Sequence, residues 1–319
     1  MINLQTILIR EQIIKLIREF FYAEHFHEVI IPVLNNSVPL EPNIYPFQTV
    51  WNTQKGNQTL FLSTSPERRL KQMIALGIDN CFAIGPSFRN LENSGTLHTQ
   101  EFLMLEWYRI NATYTEIMDD TQQLIKYISN KLGKNRKLNL DLSKTWKKIS
   151  LTSLFSRFLK SDLNEIIENK KLLFEIAQKR GYNTRNASWN EIYDQLFVNE
   201  IESYIPKEPF FLIDFPSRIS PLCKSKKDNP LLAERFELYI NRMETANGNT
   251  ENTDSTSIQK HFITEQKKRS QKCQPIDTEF IKSINKMNNL SYAGIGLGID
   301  RLTMLFAGSN SIDELGTLT

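Results

Sequence analysis

The run Phe102-Leu103-Met104-Leu105-Glu106-Trp107-Tyr108 constrains the fold more than any other, because its two faces read so differently. Side chains alternate along a strand, so Leu103, Leu105 and Trp107 share one face while Phe102, Met104, Glu106 and Tyr108 share the other. The first face is wholly apolar and belongs in a core. The second mixes rings with a carboxylate and is expected to line a polar cleft, although a salt-bridged Glu106 on a solvated sheet face would give the same pattern. Cys81 to Arg89 reads as the preceding strand, Asn90 to Gln100 as a polar loop between the two.

This strand–loop–strand carries Arg89, Glu92, His98, Glu101 and Phe102: an arginine, two acids, a histidine and a ring, the set needed to grip ATP. A guanidinium at the strand end can bind phosphate and carboxylate oxygens bidentately, which lysine cannot. Near the C-terminus, Gly294, Gly296 and Gly298 fall on one face of a strand and let a ligand lie against the backbone. Asp300 can cap the helix that carries Arg301, bringing this cation and the helix N-terminus near phosphate. A dinucleotide fold is excluded, because the spacing is not Gly-x-Gly-x-x-Gly and too little chain follows for a βαβ unit.

A hairpin is expected at Ala233–Gly248. If Asn241-Arg242 is its two-residue turn, Glu244 faces Tyr239 and Glu237 is a diagonal neighbour on the same face. Two carboxylates about 7–8 Å apart at their Cα atoms can bridge a hydrated magnesium. Two exposed acids on a hairpin would look the same.

The rest of the chain supplies scaffold. Met1 to Phe21 repeats Ile13, Ile14, Ile17, Phe20 and Phe21 as an amphipathic helix, not a signal peptide, and Val29–Leu34 reads as a strand with an edge proline. Ser65-Pro66-Glu67 opens a helix that ends near Gly77; Tyr114 to about Lys131 is helical. Residues from about 137 to 208 read as a helical insertion carrying little chemistry, with a capping box at Ser188–Glu191. Strand character returns at Phe210–Ile213, and Ile258 to Met287 is charged and mostly helical. The net charge of +3, from 39 basic and 36 acidic side chains, advertises no nucleic-acid partner. Cys81, Cys223 and Cys273 are scattered without a Cys-x-x-Cys pair, which fits a reducing compartment. No apolar run approaches the ~20 residues that cross a bilayer, so the expected location is cytoplasmic.

Phe88-Arg89-Asn90-Leu91-Glu92 with His98–Tyr108, and Gly294–Leu302, resemble motifs 2 and 3 of class II aminoacyl-tRNA synthetases in the lysyl branch; the first helix and the proline-bearing strand look like motif 1, the dimer-forming segment. The resemblance runs through nearly the whole chain apart from the insertion. It implies an α+β catalytic core, an antiparallel sheet flanked by helices, as one domain over 1–319, acting as a homodimer with ATP and Mg2+. By resemblance Arg89 bridges the α-phosphate and the substrate carboxylate, Glu92 reads adenine, His98 meets the distal phosphates and Phe102 stacks on the purine. Arg301 and Gly298 join the ATP site, and Glu237 and Glu244 hold magnesium. Asn247 and Glu251 hold the substrate's carboxylate and ε-ammonium; Glu106 and Tyr108 join Glu251, Glu67 takes the α-amino group, and Gly296 lines the pocket. Such an acid cluster selects a cationic substrate, since unpaired buried carboxylates are costly. The departures are Thr99-Gln100 for the family's Asn-Pro, Asn249 for an aromatic and Asn252 for a leucine.

Lysyl-tRNA synthetases carry an anticodon-binding barrel before this core, whereas here motif 1 begins almost at Met1, so none is expected. Glu41–Thr49, Thr64–Glu67 and Met104–Arg109 look like the elongation factor P lysine ligase family, which lysylates a translation-factor lysine. Gly296 points the other way, since ligases using β-lysine tend to carry alanine there, and Pro221-Leu222-Cys223-Lys224 resembles the synthetases. Three readings follow: a protein–lysine ligase acting on elongation factor P, an enzyme charging tRNA or a small molecule, and a non-catalytic paralogue with a binding role. The donor stays open among lysine, β-lysine and other basic amino acids.

Overall fold

The computed structural model describes residues 2–91, 95–133, 137–138, 140–269 and 274–316. Helix α1 (Leu4–Ala23) starts at Asn3, whose side chain accepts from the Gln5 amide at 3.0 Å, and buries Ile9, Ile13, Ile17 and Phe21, one turn apart. That stripe is the docking face of an amphipathic helix. The run Val29–Leu34, expected as a strand, is not one. β1 (His27–Glu28) ends before it and β2 (Leu34–Asn35) begins at its last residue. Pro32 has no amide for a ladder, and the chain crosses here from one sheet to another. β3 (Gln48–Thr53) and β4 (Gly56–Leu62) complete a small sheet in the order β2-β4-β3. In α2 (Glu67–Ala75) the Ser65 hydroxyl accepts from the Glu67 amide at 3.2 Å, and Gly77 at φ 97° follows its end.

β5 (Cys81–Phe88) and β6 (Glu101–Ile110) lead to α3 (Tyr114–Leu132), which opens with a Thr113–Glu116 capping box. Next come β7 (Lys147–Ser150) and four helices: α4 (Leu151–Leu159), α5 (Leu163–Glu168), α6 (Lys170–Lys179) and α7 (Trp189–Glu200). The expected capping box of Ser188 and Glu191 opens α7. β7 pairs in parallel with β8 (Phe210–Ile213), so the segment read as a helical insertion also supplies a sheet edge. β9 (Arg235–Ile240), β10 (Met243–Thr250), α8 (Ser255–Lys268), α9 (Thr278–Lys286), β11 (Tyr292–Gly298) and α10 (Ile299–Ala307) complete the described elements used below.

The main sheet runs β1-β5-β6-β11-β10-β9-β8-β7. Its inner six strands are antiparallel, whereas β1/β5 and β7/β8 are parallel, so the sheet expected to be antiparallel is mixed at both edges. α1, α3 and α10 cover one face, packing Phe21, Leu124 and Phe306 with Leu105, Trp107 and Leu297. The Phe21 ring stacks on Phe82 at 4.8 Å. On the other face, α2, α8 and α9 gather Leu70, Phe262 and Phe280 around Tyr292, while α4–α7 pack Phe155, Leu173 and Tyr193 with Phe210 and Tyr239. Between those two groups the face is polar. No helix among the described residues is long and apolar enough to cross a membrane.

Candidate active site

A cavity of about 570 Å³ lies over that polar stretch of sheet. The alternation read in the sequence positions its floor: Phe102, Met104, Glu106 and Tyr108 of β6 line it, while Leu105 and Trp107 are buried beneath. β11 runs alongside with Gly294 opposite Tyr108 and Gly296 opposite Glu106. A methyl group on Gly294 would overlap the Tyr108 ring, whereas one on Gly296 would meet Met104 Sδ at 3.4 Å, an ordinary contact.

The hairpin turn is as expected. Asn241 (φ 52°) and Arg242 (φ 66°) both adopt the left-handed conformation that a twisted two-residue hairpin needs, and Glu244 faces Tyr239. A bulge between Glu244 and Ala246 then shifts the register, setting Glu237 opposite Asn247. Regular alternation would send residues 244 and 247 to opposite faces; the extra residue lets both reach the cavity.

Glu67, Arg89, His98, Phe102, Glu106, Tyr108, Glu237, Glu244, Asn247, Glu251, Gly296, Gly298 and Arg301 all line this one cavity. Glu92 lies outside the described residues. The Arg89 guanidinium sits 5.1 Å from the Phe102 ring centre, with its Nε buried and lacking a hydrogen-bond partner among the described residues. Such an orphaned donor suits an anionic ligand, because leaving it unmatched is costly. Arg301 donates to the Glu244 carbonyl at 2.7 Å, faces the Glu244 carboxylate at 3.5 Å and lies 3.3 Å from the His98 ring nitrogens. Asp300 does not cap α10 as expected. The N-cap is Gly298, and the Asp300 carboxylate accepts from the Leu103 amide at 2.6 Å and pairs with Arg10 at 3.4 Å, tying helix to strand. Two residues past the cap, its oxygens point to the β6 backbone instead of to the helix's own amides.

The cavity also gathers buried acids. Glu106 accepts from the Tyr108 hydroxyl at 2.7 Å; burial, then Glu67, holds its carboxyl well above the usual range. Burial pushes Glu251 up to about 7 despite Lys71, with Glu67 adding to the rise. Glu237 is likewise pushed up to about 7, by burial and then Glu244, although it pairs with Arg235 at 2.8 Å. These acids are poised to ionise when a cation arrives. Among the described residues no group of three or more His, Cys, Asp or Glu could hold a metal ion. The Glu237–Glu244 pair therefore fits a magnesium that keeps water and phosphate ligands rather than an all-protein cage.

Several functional neighbours escaped the sequence reading. Lys71 is fully buried and 2.5 Å from both Glu67 and Glu251; its signal was a lysine one turn after Glu67, flanked by Leu70 and Ile74. Arg235 is anchored over Phe215 at 4.5 Å. The insertion, expected to carry little chemistry, turns Asn190, Tyr193, Asp194 and Phe197 of α7 to the cavity wall.

Comparison with known proteins identifies the family. The family described as class II tRNA synthetases (D, K and N) matches residues 3–317. A lysine–tRNA ligase of Wigglesworthia glossinidia brevipalpis is 32% identical over 314 residues, covering 96% of this chain and 62% of that protein. Lysine–tRNA ligase 2 of Methanosarcina acetivorans is 33% identical, covering 98% and 61%. The chain thus spans about three fifths of these relatives' length. An elongation factor P–(R)-β-lysine ligase of Buchnera aphidicola subsp. Schizaphis graminum is 30% identical over 325 residues, covering 98% of this chain and 95% of that protein. The chain belongs to the class II tRNA synthetases of the D, K and N group.

Proposed function

We propose that the cavity activates lysine or a close basic relative with ATP and passes it to a lysine side chain of elongation factor P. The observation that carries this reading is that one cavity gathers the acids Glu67, Glu106 and Glu251 with Arg89, Arg301 and His98. Acids there suit a substrate's ammonium groups and the cations suit ATP phosphates.

In the first step a carboxylate oxygen of the amino acid attacks the α-phosphorus of ATP in line, and pyrophosphate leaves with the electron pair of the broken P–O bond. Arg89 holds the carboxylate and α-phosphate together and neutralises charge as it builds; Arg301 and His98 serve the departing phosphates. Phe102 offers a ring to the purine, and Gly298 lets the nucleotide lie against β11. Magnesium held by Glu237, Glu244 and phosphate oxygens would supply further charge neutralisation. In the second step a neutral acceptor amine attacks the carbonyl of the aminoacyl-adenylate, loses its proton to solvent, and AMP departs. No covalent enzyme intermediate is needed.

Similarity to the elongation factor P ligase over 95% of that protein supports a protein acceptor. The comparable identity to lysine–tRNA ligases supports the second reading, a tRNA acceptor. Ile30, 90% exposed, and Leu34, 52% exposed, sit on the motif 1 segment and support a homodimer formed through it. An activity that uses ATP and elongation factor P would belong in the cytoplasm, and the free thiols of Cys81 and Cys223 suit a reducing compartment.

Isotope exchange of pyrophosphate into ATP, run with lysine, β-lysine, ornithine and arginine, tests the first step. Exchange with one basic amino acid is expected; silence with all four, from folded protein with magnesium, would overturn adenylation. Transfer of the labelled amino acid to purified elongation factor P or to tRNA then separates the two acceptors.

A further inference from the structure

Glu41 stands on the wall of the same cavity, on a loop given no binding role above. The loop is built to hold it. Leu40, next to it, is fully buried. The Glu41 carbonyl accepts from the Ile44 amide at 3.4 Å, closing a turn with Pro42 second and Asn43 third, the latter at φ 62°. Proline then a left-handed Asn is what a type II turn requires. Arg269, just past α8, donates to the same carbonyl and lays its guanidinium 4.5 Å from the Tyr45 ring. The Tyr45 carbonyl accepts from the Asn90 amide at 2.7 Å, which fastens the loop beside Arg89.

Most acids lining the cavity already have a cation. Lys71 pairs with Glu67 and Glu251, Arg235 with Glu237, Arg301 with Glu244 and Arg10 with Asp300. Glu41, like Glu106, has no ion-pair partner among the described residues, and its side chain is half-buried with the cavity in front of it. Burial and then Glu67 push its carboxyl up to about 7, while Arg89, Lys71 and Arg235 pull the other way. Glu41 shares the cavity with Arg89 and Glu67, on a loop fastened beside Arg89. On the adenylation reading above, Arg89 holds the substrate carboxylate and Glu67 the nearest ammonium. An ammonium one or two carbons from that carboxylate falls within reach of Glu41 as well.

We propose that Glu41 and Glu67 together clamp the ammonium group nearest the substrate's carboxylate, so that Glu41 is a specificity-determining residue restricting the site to amino acids with two ammonium groups. A substrate lacking the proximal ammonium leaves Glu41 facing a second acid without a counter-ion, which is costly in a part-buried site. The proposal rests on the adenylation reading.

The test uses wild type, Glu41→Gln and Glu41→Asp, with lysine, β-lysine and 6-aminohexanoate, which keeps the distal ammonium but lacks the proximal one. Pyrophosphate exchange gives KM and kcat; titration calorimetry gives binding; thermal melting checks the fold. Wild type is expected to prefer a diamino acid. Glu41→Gln should raise that substrate's KM on the order of tenfold or more, with kcat changed less, the effect of a lost charge-assisted contact. Its preference for the diamino acid over 6-aminohexanoate, as a ratio of kcat/KM, should fall by a similar factor, and Glu41→Asp should restore part of it. A general structural role would weaken all three substrates alike and leave the ratio unmoved; that result, or no change at all in Glu41→Gln, overturns the proposal while adenylation stands. Wild type that neither binds nor activates any of the three overturns the adenylation reading, and the proposal with it.

Discussion

The Lys71 ammonium lies 2.5 Å from a carboxylate oxygen of Glu251, 180 residues further along the chain, and 2.5 Å from Glu67 one turn back on α2. The rings of Tyr108 and Phe280 flank it, each 5.7 Å from Nζ. Two of the acids assigned to the substrate's ammonium groups thus already share an internal one. Burial alone would drive Lys71 to lose its proton, but Glu251 and Glu67 hold it charged, well above the ordinary lysine range. Lys71 lets neighbouring carboxylates stay close, as the proposed cationic substrate would.

Replacing Lys71 by methionine keeps the bulk and removes the charge. Glu67 and Glu251 would then face each other buried and unpaired, a loss of about 3–5 kcal/mol by the usual cost of breaking a buried pair. The loss should be largest near pH 8 and shrink towards pH 5, where the stranded carboxylates can take up protons. Urea unfolding at the two pH values measures it. An unchanged midpoint at pH 8 would show that Lys71 does not hold the acids.

Proton release on substrate binding is the next expectation. Glu41, Glu237 and Glu251 are each raised from an ordinary 4.5 to about 7. A raised folded-state value means these groups favour the fold fully below about 4.5 and lose that contribution as pH rises through about 7. The ligand-free protein should therefore melt lower at pH 8 than at pH 5.5, and a basic amino acid should raise its melting point more at pH 8. Near pH 6.5, calorimetry in buffers of different ionisation enthalpy should register protons leaving, because the incoming cation favours ionised carboxylates. Uptake of protons would contradict the assignment of Glu41 and Glu251 to the ammonium groups.

What the sequence could reveal divides along a physical line. The faces of β6, the Asn241-Arg242 turn and the Ser188–Glu191 capping box are local matters, set by strand period, turn chemistry and N-cap spacing, and they hold in the structure. Lys71, Arg235, Glu41 and Asp194 are site neighbours only because elements distant in sequence meet, and no local period encodes that. Val29–Leu34 misled because β-branched propensity yields to Pro32 and to the crossing between sheets. Asp300 misled by two positions: at the second helical residue instead of the cap, it serves the β6 backbone.

Arg89 should separate charge from geometry. Arg89→Lys keeps the cation but loses the planar fork that can engage two oxygens at once. Exchange of pyrophosphate should fall about 10²–10³-fold, comparable to losing a preorganised charge donor, while circular dichroism stays native. Near-normal exchange in Arg89→Lys would remove Arg89 from the carboxylate–phosphate bridge.

The glycines of β11 make a paired prediction, because they sit two residues apart on one face yet meet different neighbours. At Gly294 a Cβ would overlap the Tyr108 ring, which is buried and bonded to Glu106, so it has nowhere to retreat. Gly294→Ala should cost about 1–3 kcal/mol, the usual cost of overpacking, and should displace the Tyr108–Glu106 pair. At Gly296 the nearest atom is Met104 Sδ at 3.4 Å, on a flexible side chain, so Gly296→Ala should fold normally. Its effect should appear in substrate choice instead, since the added methyl enters the cavity beside Glu106. Denaturation of both variants, with pyrophosphate exchange on lysine and β-lysine, distinguishes the cases. Equal destabilisation of the two would mean that Tyr108 is not held where it lies; an unaltered lysine to β-lysine ratio in Gly296→Ala would mean that the amino acid does not pass over this glycine.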